Sequence, residues 1–117
     1  MALDTVQDYL DRTRVLLQDK VEPYRYDDET LVAALNMAIL EGRRIRPDLF
    51  EAYLNTTLPE YSEGSLATEV DIDVQYRTAF VYYMVGHAQL QDDESTNDQR
   101  ATVFLNKFTA QLRTIEA

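Results

Sequence analysis

Residues 26–47 read YDDETLVAALNMAILEGRRIRP and spell a helix with both ends marked. Asp27 is a natural N-cap, because a short carboxylate accepts from the backbone N–H groups that a helix start leaves open. Tyr26 and Leu31 occupy the N′ and N4 positions, where two apolar side chains staple the entering chain. Asp28 and Glu29 set negative charge on the positive end of the helix dipole, and Arg43, Arg44 and Arg46 set positive charge on the other end. Pro47 stops the helix, since the residue before a proline is pushed out of the α region. Leu31, Leu35, Ala38, Ile39, Gly42 and Ile45 fall on one face, the stripe expected to enter a core. Glycine costs about 1 kcal/mol against alanine inside a helix, so Gly42 on that stripe predicts close approach of another helix. Ala33, Met37 and Leu40, with Arg44 at the edge, make a smaller apolar patch roughly opposite. That patch has two readings: partial cover by a loop or by the first helix, or a contact with another subunit.

N-terminal to this stretch, residues 4 to about 18 predict a first helix. Asp4 can cap it, with Gln7 completing a capping box. Val6, Tyr9 or Leu10, Thr13 and Leu17 follow helical spacing, and Asp8, Asp11, Arg12 and Arg14 are read as its wet face. A short loop with Pro23 leads into the second helix. C-terminal to Pro47, residues 47–53 predict a short third element with Leu49, Phe50, Tyr53 and Leu54 on its apolar side. Residues 55–70, NTTLPEYSEGSLATEV, form a long irregular stretch, and loops of more than about 12–15 residues in a compact domain are uncommon. Within it, Ala67 to Ile72 alternates weakly, as a short strand would, with a neighbour's edge as one possible partner.

The next helix begins near Asp71 or Asp73 and runs to about Leu90. Val74, Arg77, Val81, Met84, Val85 and Ala88 share one face; Tyr76, Phe80, Tyr83 and His87 share the adjoining one. A helix apolar so far around is buried on two sides, so it is either the centre of the domain or a helix between subunits. Asp92 to Asn97 is a turn, and Thr96 with Gln99 is another capping box. A last helix continues to about Ile115, with Ala101, Phe104, Leu105, Phe108, Leu112 and Ile115 as its stripe and Arg100, Lys107 and Arg113 facing water. The fold class is therefore all-α: a single domain over residues 1–117, a small bundle of about four helices with a long irregular loop between the second and third main helices.

The chemistry of an enzyme is not apparent in this sequence. It has one histidine, His87, inside the aromatic face of a helix, where a packed, hydrogen-bonded role is expected. It has no cysteine, which excludes disulfides, thiolate metal sites and cysteine nucleophiles. Nucleotide-binding, zinc-protease and EF-hand motifs are missing. Asp92, Asp93 and Glu94 read as a solvated turn, and Glu69, Asp71 and Asp73 as competing caps, before either reads as a cation site. No catalytic residue, cofactor or metal is expected. The N-terminus lacks the basic and apolar regions of a signal peptide, and no run approaches the roughly 20 apolar residues that span a bilayer.

Twenty-one acidic residues against 11 basic ones leave a net charge of −10. Nucleic-acid binding through the overall field needs a basic footprint, so such a chain can face DNA without holding it; the plainer use of the charge is solubility. The arginine trio Arg43, Arg44 and Arg46 can bind phosphate, and in so acidic a chain ion pairing with acidic groups of a partner is the preferred reading. Ala33, Met37, Leu40, Arg43, Arg44, Arg46, Tyr76 and Tyr83 are the candidate subunit or partner interface.

An aromatic before an acidic cap, a leucine-rich helix with an Asn, then arginines and Pro-Asp occur here as Tyr26, Asp27, Leu31, Asn36, Arg43, Arg44, Pro47 and Asp48. This order resembles the adaptor (head–tail connector, or head completion) proteins of tailed bacteriophages, whose aromatic is often Trp. Leu16-Leu17-Gln18-Asp19 is similar to the end of that family's first helix. Tyr76 to Tyr83, Asp92-Asp93 and a last helix with Gln99-Arg100-Ala101 and Phe108 are similar to its second half, so the resemblance covers most of the chain in outline. It implies a helical-bundle subunit of the virion neck, made in the host cytoplasm. Such subunits form a homo-oligomeric ring, commonly of twelve copies, that binds the portal protein and extends the DNA channel. They also offer a platform to tail or stopper proteins, while genomic DNA passes without specific binding and no membrane is involved. Two alternatives stand beside it: a related neck protein such as a stopper or tail-completion protein, and an acidic helical binding module such as a DNA-mimic inhibitor.

Overall fold

The computed structural model describes residues 3–19, 21, 24, 26–53, 60–62, 64, 66–70, 72, 74–90 and 98–113. Among these residues the fold is all-α, with helices α1 (Val6–Leu17), α2 (Asp28–Ile45), α3 (Arg77–Leu90) and α4 (Asp98–Arg113). A 3-10 segment, Pro47–Tyr53, follows α2, and a 3-10 turn, Val74–Tyr76, enters α3. A long irregular stretch joins α2 to α3.

α3 takes the central position of the two that its apolar circumference allowed, packing against α1, α2 and α4. Ala79, Phe80, Val81, Met84, Val85, Gly86 and Ala88 are buried. The α2 stripe meets it as the spacing predicted: Leu31, Leu35, Ala38, Ile39 and Gly42 are buried, with Ile45 partly buried against the same core. Val32 and Ala34 are buried as well, so the covered face is wider than the stripe. A Cβ on Gly42 would lie 2.8 and 2.9 Å from Phe80 ring carbons, the close approach expected there. The Phe80 ring lies 6.3 Å from that of Phe50 in the 3-10 segment and 5.4 Å from that of Phe108 on α4. α4 approaches α3 as closely at Gly86, where a Cβ would fall 2.8 Å from Leu105 Cγ and 3.0 Å from the Ala101 carbonyl.

The ends of α2 are as read: Asp27 is the N-cap and its carboxylate accepts from the Thr30 N–H at 2.8 Å. α1 starts one residue later than expected. Its cap is Thr5, and the box partner is Asp8, not Gln7. The reason lies in how the four open N–H groups of a helix start find acceptors. The Asp8 N–H donates to the Thr5 hydroxyl and the Thr5 N–H to the Asp8 carboxylate. The Val6 N–H donates to the Thr68 carbonyl and the Gln7 N–H to that of Leu66. Those two acceptors come from the long loop, which thus caps α1 from outside. The Val70 N–H donates in turn to the Asp4 carbonyl. The strand expected at Ala67 to Ile72 does not form among the described residues. What remains is an isolated antiparallel bridge between Thr5 and Glu69 of the same chain, so these groups are not offered to a neighbour's edge.

Two residues assigned to wet faces turn inward. Arg14 is buried, 4% exposed; its guanidinium donates to Asp19 (3.0 Å), Asp28 (2.7 Å) and the Tyr26 carbonyl (2.7 Å). Arg100 donates to the Leu16 carbonyl and stands over the Phe104 ring, tying α4 to the end of α1. On the α4 stripe Ala101, Phe108 and Leu112 are buried and Phe104 and Leu105 partly so. The readings made for Leu54, Asp71, Asp73, the 92–97 turn with its capping box, Ile115 and the side chain of Tyr53 lie outside the described residues. No helix among those described is long and apolar enough to cross a membrane.

Candidate functional site

α2 has two sides, and only one belongs to the core. Opposite the buried stripe, Ala33, Met37 and Leu40 are exposed, Met37 by 43% and Leu40 by 55%. Among the described residues, loop and α1 leave Met37 and Leu40 about half exposed. Residue 33 with 37, 40 and 44 repeats at helical spacing, so these side chains form one ridge along α2, flanked by two hollows. The smaller, about 220 Å³, lies between α2 and the loop and is lined by Glu29, Val32, Ala33, Asn36, Tyr61 and Ser62. The larger, about 310 Å³, lies where α2, α3 and α4 meet, with Ile45, Tyr83, His87, Leu90 and Phe108 in its walls and Glu41 and Arg44 among its lining residues.

The loop wall of the smaller hollow is pinned by Asn36. Its side-chain amide donates to the Tyr61 carbonyl at 2.8 Å and accepts from the Tyr61 N–H at 2.9 Å. One amide thereby supplies both bonds that a β partner would offer, and Tyr61 is buried beneath it. Asn36 thus meets a loop of its own chain.

The arginine trio divides. Arg43 is exposed. Arg44 pairs with Glu41 one turn back at 2.7 Å, a bond that raises its pKa. Arg46 is held within the subunit: it forks onto Asp48, donates to the Leu112 carbonyl and faces the Tyr76 ring. The Arg46 bond holds the Asp48 carboxyl below its ordinary pKa. Tyr76 is buried, at 7% exposure, so both it and Arg46 serve this bundle. Tyr83 is partly buried, stacked on His87 and edge-on to Phe108, and burial raises its pKa. Of the eight candidate residues, the structure thus brings Ala33, Met37, Leu40 and Arg44 onto one exposed ridge. Arg43 lies exposed beside it, Tyr83 lines the larger hollow, and Arg46 and Tyr76 are internal.

His87 is packed as expected, stacked on Tyr83, and its Nδ1 is buried with no partner among the described residues. Burial lowers its pKa, because desolvation disfavours the charged imidazolium. No three metal-ligating side chains converge among the described residues. What the described residues build here is a surface. Glu29 is a member that the sequence reading passed over as a dipole charge. It lies four residues before Ala33 and is exposed, which extends the ridge by a turn; helical spacing alone would have found it. Compared with protein-family models, curated proteins and solved structures, the chain matches none.

Proposed function

We propose that this chain is a structural virion protein, the adaptor subunit of a phage head–tail connector. Copies close into a ring beneath the portal, lengthen the DNA channel and give the tail its platform. The observation that carries the reading is the double face of α2: the helix fills its own core and still presents Met37 and Leu40 to solvent. Exposed apolar ridges on small helical domains mark interaction surfaces. The residue order from Tyr26 to Asp48 supplies the resemblance, and a net charge of −10 suits a channel wall past which DNA slides without adhering. Val15, Val21, Leu90 and Val103 are further exposed apolar side chains, and a ring needs two unlike patches that meet head to tail.

The test is assembly with the portal protein of the same genome. Purified chain and portal are mixed and imaged by electron microscopy. A closed ring of this subunit on the narrow end of the portal supports the reading; a chain that stays monomeric and unbound at micromolar concentration rejects it.

A further inference from the structure

On α2 the residues 29, 33, 37, 40 and 44 read Glu, Ala, Met, Leu, Arg, and all five are exposed. At about 100° per residue they fall within an arc of about 80°, so they form a single line. The line is complementary to its own reverse: acid at one end, base at the other, apolar between. Turned end for end about an axis between Asn36 and Met37, it meets itself. Glu29 then faces Arg44 of the second copy, Ala33 faces Leu40, and the two Met37 side chains touch across the axis.

We propose that α2 is a self-recognition surface and that its occupant is the α2 ridge of a second copy, packed antiparallel in a two-fold dimer. A two-fold contact requires a self-complementary patch, and this ridge is one both in charge and in its apolar centre. Each Arg44 exchanges an exposed pair with Glu41, a bond of small worth, for one with Glu29 of the second copy, two symmetric pairs in all. The proposal does not rest on the virion reading. Where both hold, the dimer is the free form, because a ridge covered by its twin is closed to ring neighbours until the dimer opens.

The experiment is sedimentation equilibrium on the full chain with Glu29→Arg, Arg44→Glu and the double variant, circular dichroism confirming helix content in each. Each single reversal sets like charges opposite at both ends and weakens the dimer by roughly tenfold or more. The double variant restores opposite charges and recovers the wild-type dissociation constant. Equal dimerisation in all four proteins, or a double variant as weak as the sum of the singles, overturns the pairing, as does a wild-type chain that stays monomeric at millimolar concentration. Because the chain has no cysteine, single-cysteine variants provide a second readout. Met37→Cys sits beside the axis and, with oxidised glutathione added as the two-electron acceptor, crosslinks to a covalent dimer. Arg44→Cys does not, since the two copies of residue 44 lie about 22 Å apart along the axis. Crosslinking at 44 in preference to 37 rejects the antiparallel register. Dimers that follow this pattern without a portal ring would leave the pairing standing and remove the adaptor function; a ring drawn from strictly monomeric chain would do the reverse.

Discussion

Arg14 sits where a charge is costly and is held there by acceptors from three places. Asp19 and Asp28 take its two terminal nitrogens, the Tyr26 carbonyl takes a third bond, and the Tyr24 ring lies 3.8 Å from the guanidinium carbon. Asp19 also accepts from the Tyr26 N–H, so this one knot fixes how α1 hands over to α2. Removing one partner of a buried pair leaves the other charged and unpaired, at a cost of about 3 kcal/mol or more. Arg14→Met is therefore expected to lower the unfolding free energy by that amount, read as a lower urea midpoint at an unchanged denaturant slope. Asp27 tests a different property of the same junction. Hydrogen bonds from Thr30 hold its carboxyl below the ordinary value, so its stabilisation is full above the unfolded carboxylate pKa, near 4, and is lost as pH falls through the lowered folded value. Asparagine caps as well as aspartate but does not titrate. Asp27→Asn is expected to match the wild type above about pH 5 and to lose less stability than it as the pH falls below the ordinary carboxylate value, as measured by thermal melts across that range.

At the scale of elements, the long loop is a structural partner of α1 and α2 through two small contacts: the carbonyls of Leu66 and Thr68 on the α1 start, and Tyr61 on Asn36. Asn36→Ala removes both bonds to Tyr61 at once. The expected result is a loss of about 1–3 kcal/mol and faster hydrogen exchange at the Tyr61 amide, with α2 protection kept. Unchanged exchange at Tyr61 would mean that the loop is held by something else. These contacts also mark what the sequence made legible. Helices with a periodic stripe were readable, α2 almost to the residue, because capping, staple and stop signals are local. Gly42 was readable because a glycine on a buried face has few other reasons. Arg14 was not, because a charged residue off the stripe reads as wet unless its acceptors are known, and two of its three lie twelve or more residues away. The α1 cap was missed for a related reason: two of its four N–H groups are satisfied from residues 66 and 68, which no local pattern reveals. The apolar patch was legible as spacing, its exposure only from the packed bundle.

For the whole molecule, the question is what a small acidic bundle does with an uncovered apolar ridge. If Met37 and Leu40 serve contact between chains, their fold role is small. Met37→Glu with Leu40→Glu is expected to keep the helical circular dichroism and to change stability within about 0.5 kcal/mol, as surface substitutions do. The same variant is expected to lose self-association and portal-bound rings. Loss of helical signal would instead make the ridge part of the core.

The most direct measurement of the proposed adaptor role is cryo-electron microscopy of virions whose genome carries this sequence, with the subunit located by fitting α1 to α4 into the neck. The account predicts a ring of these bundles between portal and tail, enclosing the DNA channel. Neck density that accommodates no copy of the bundle, in particles whose portal and tail are otherwise resolved, would contradict it.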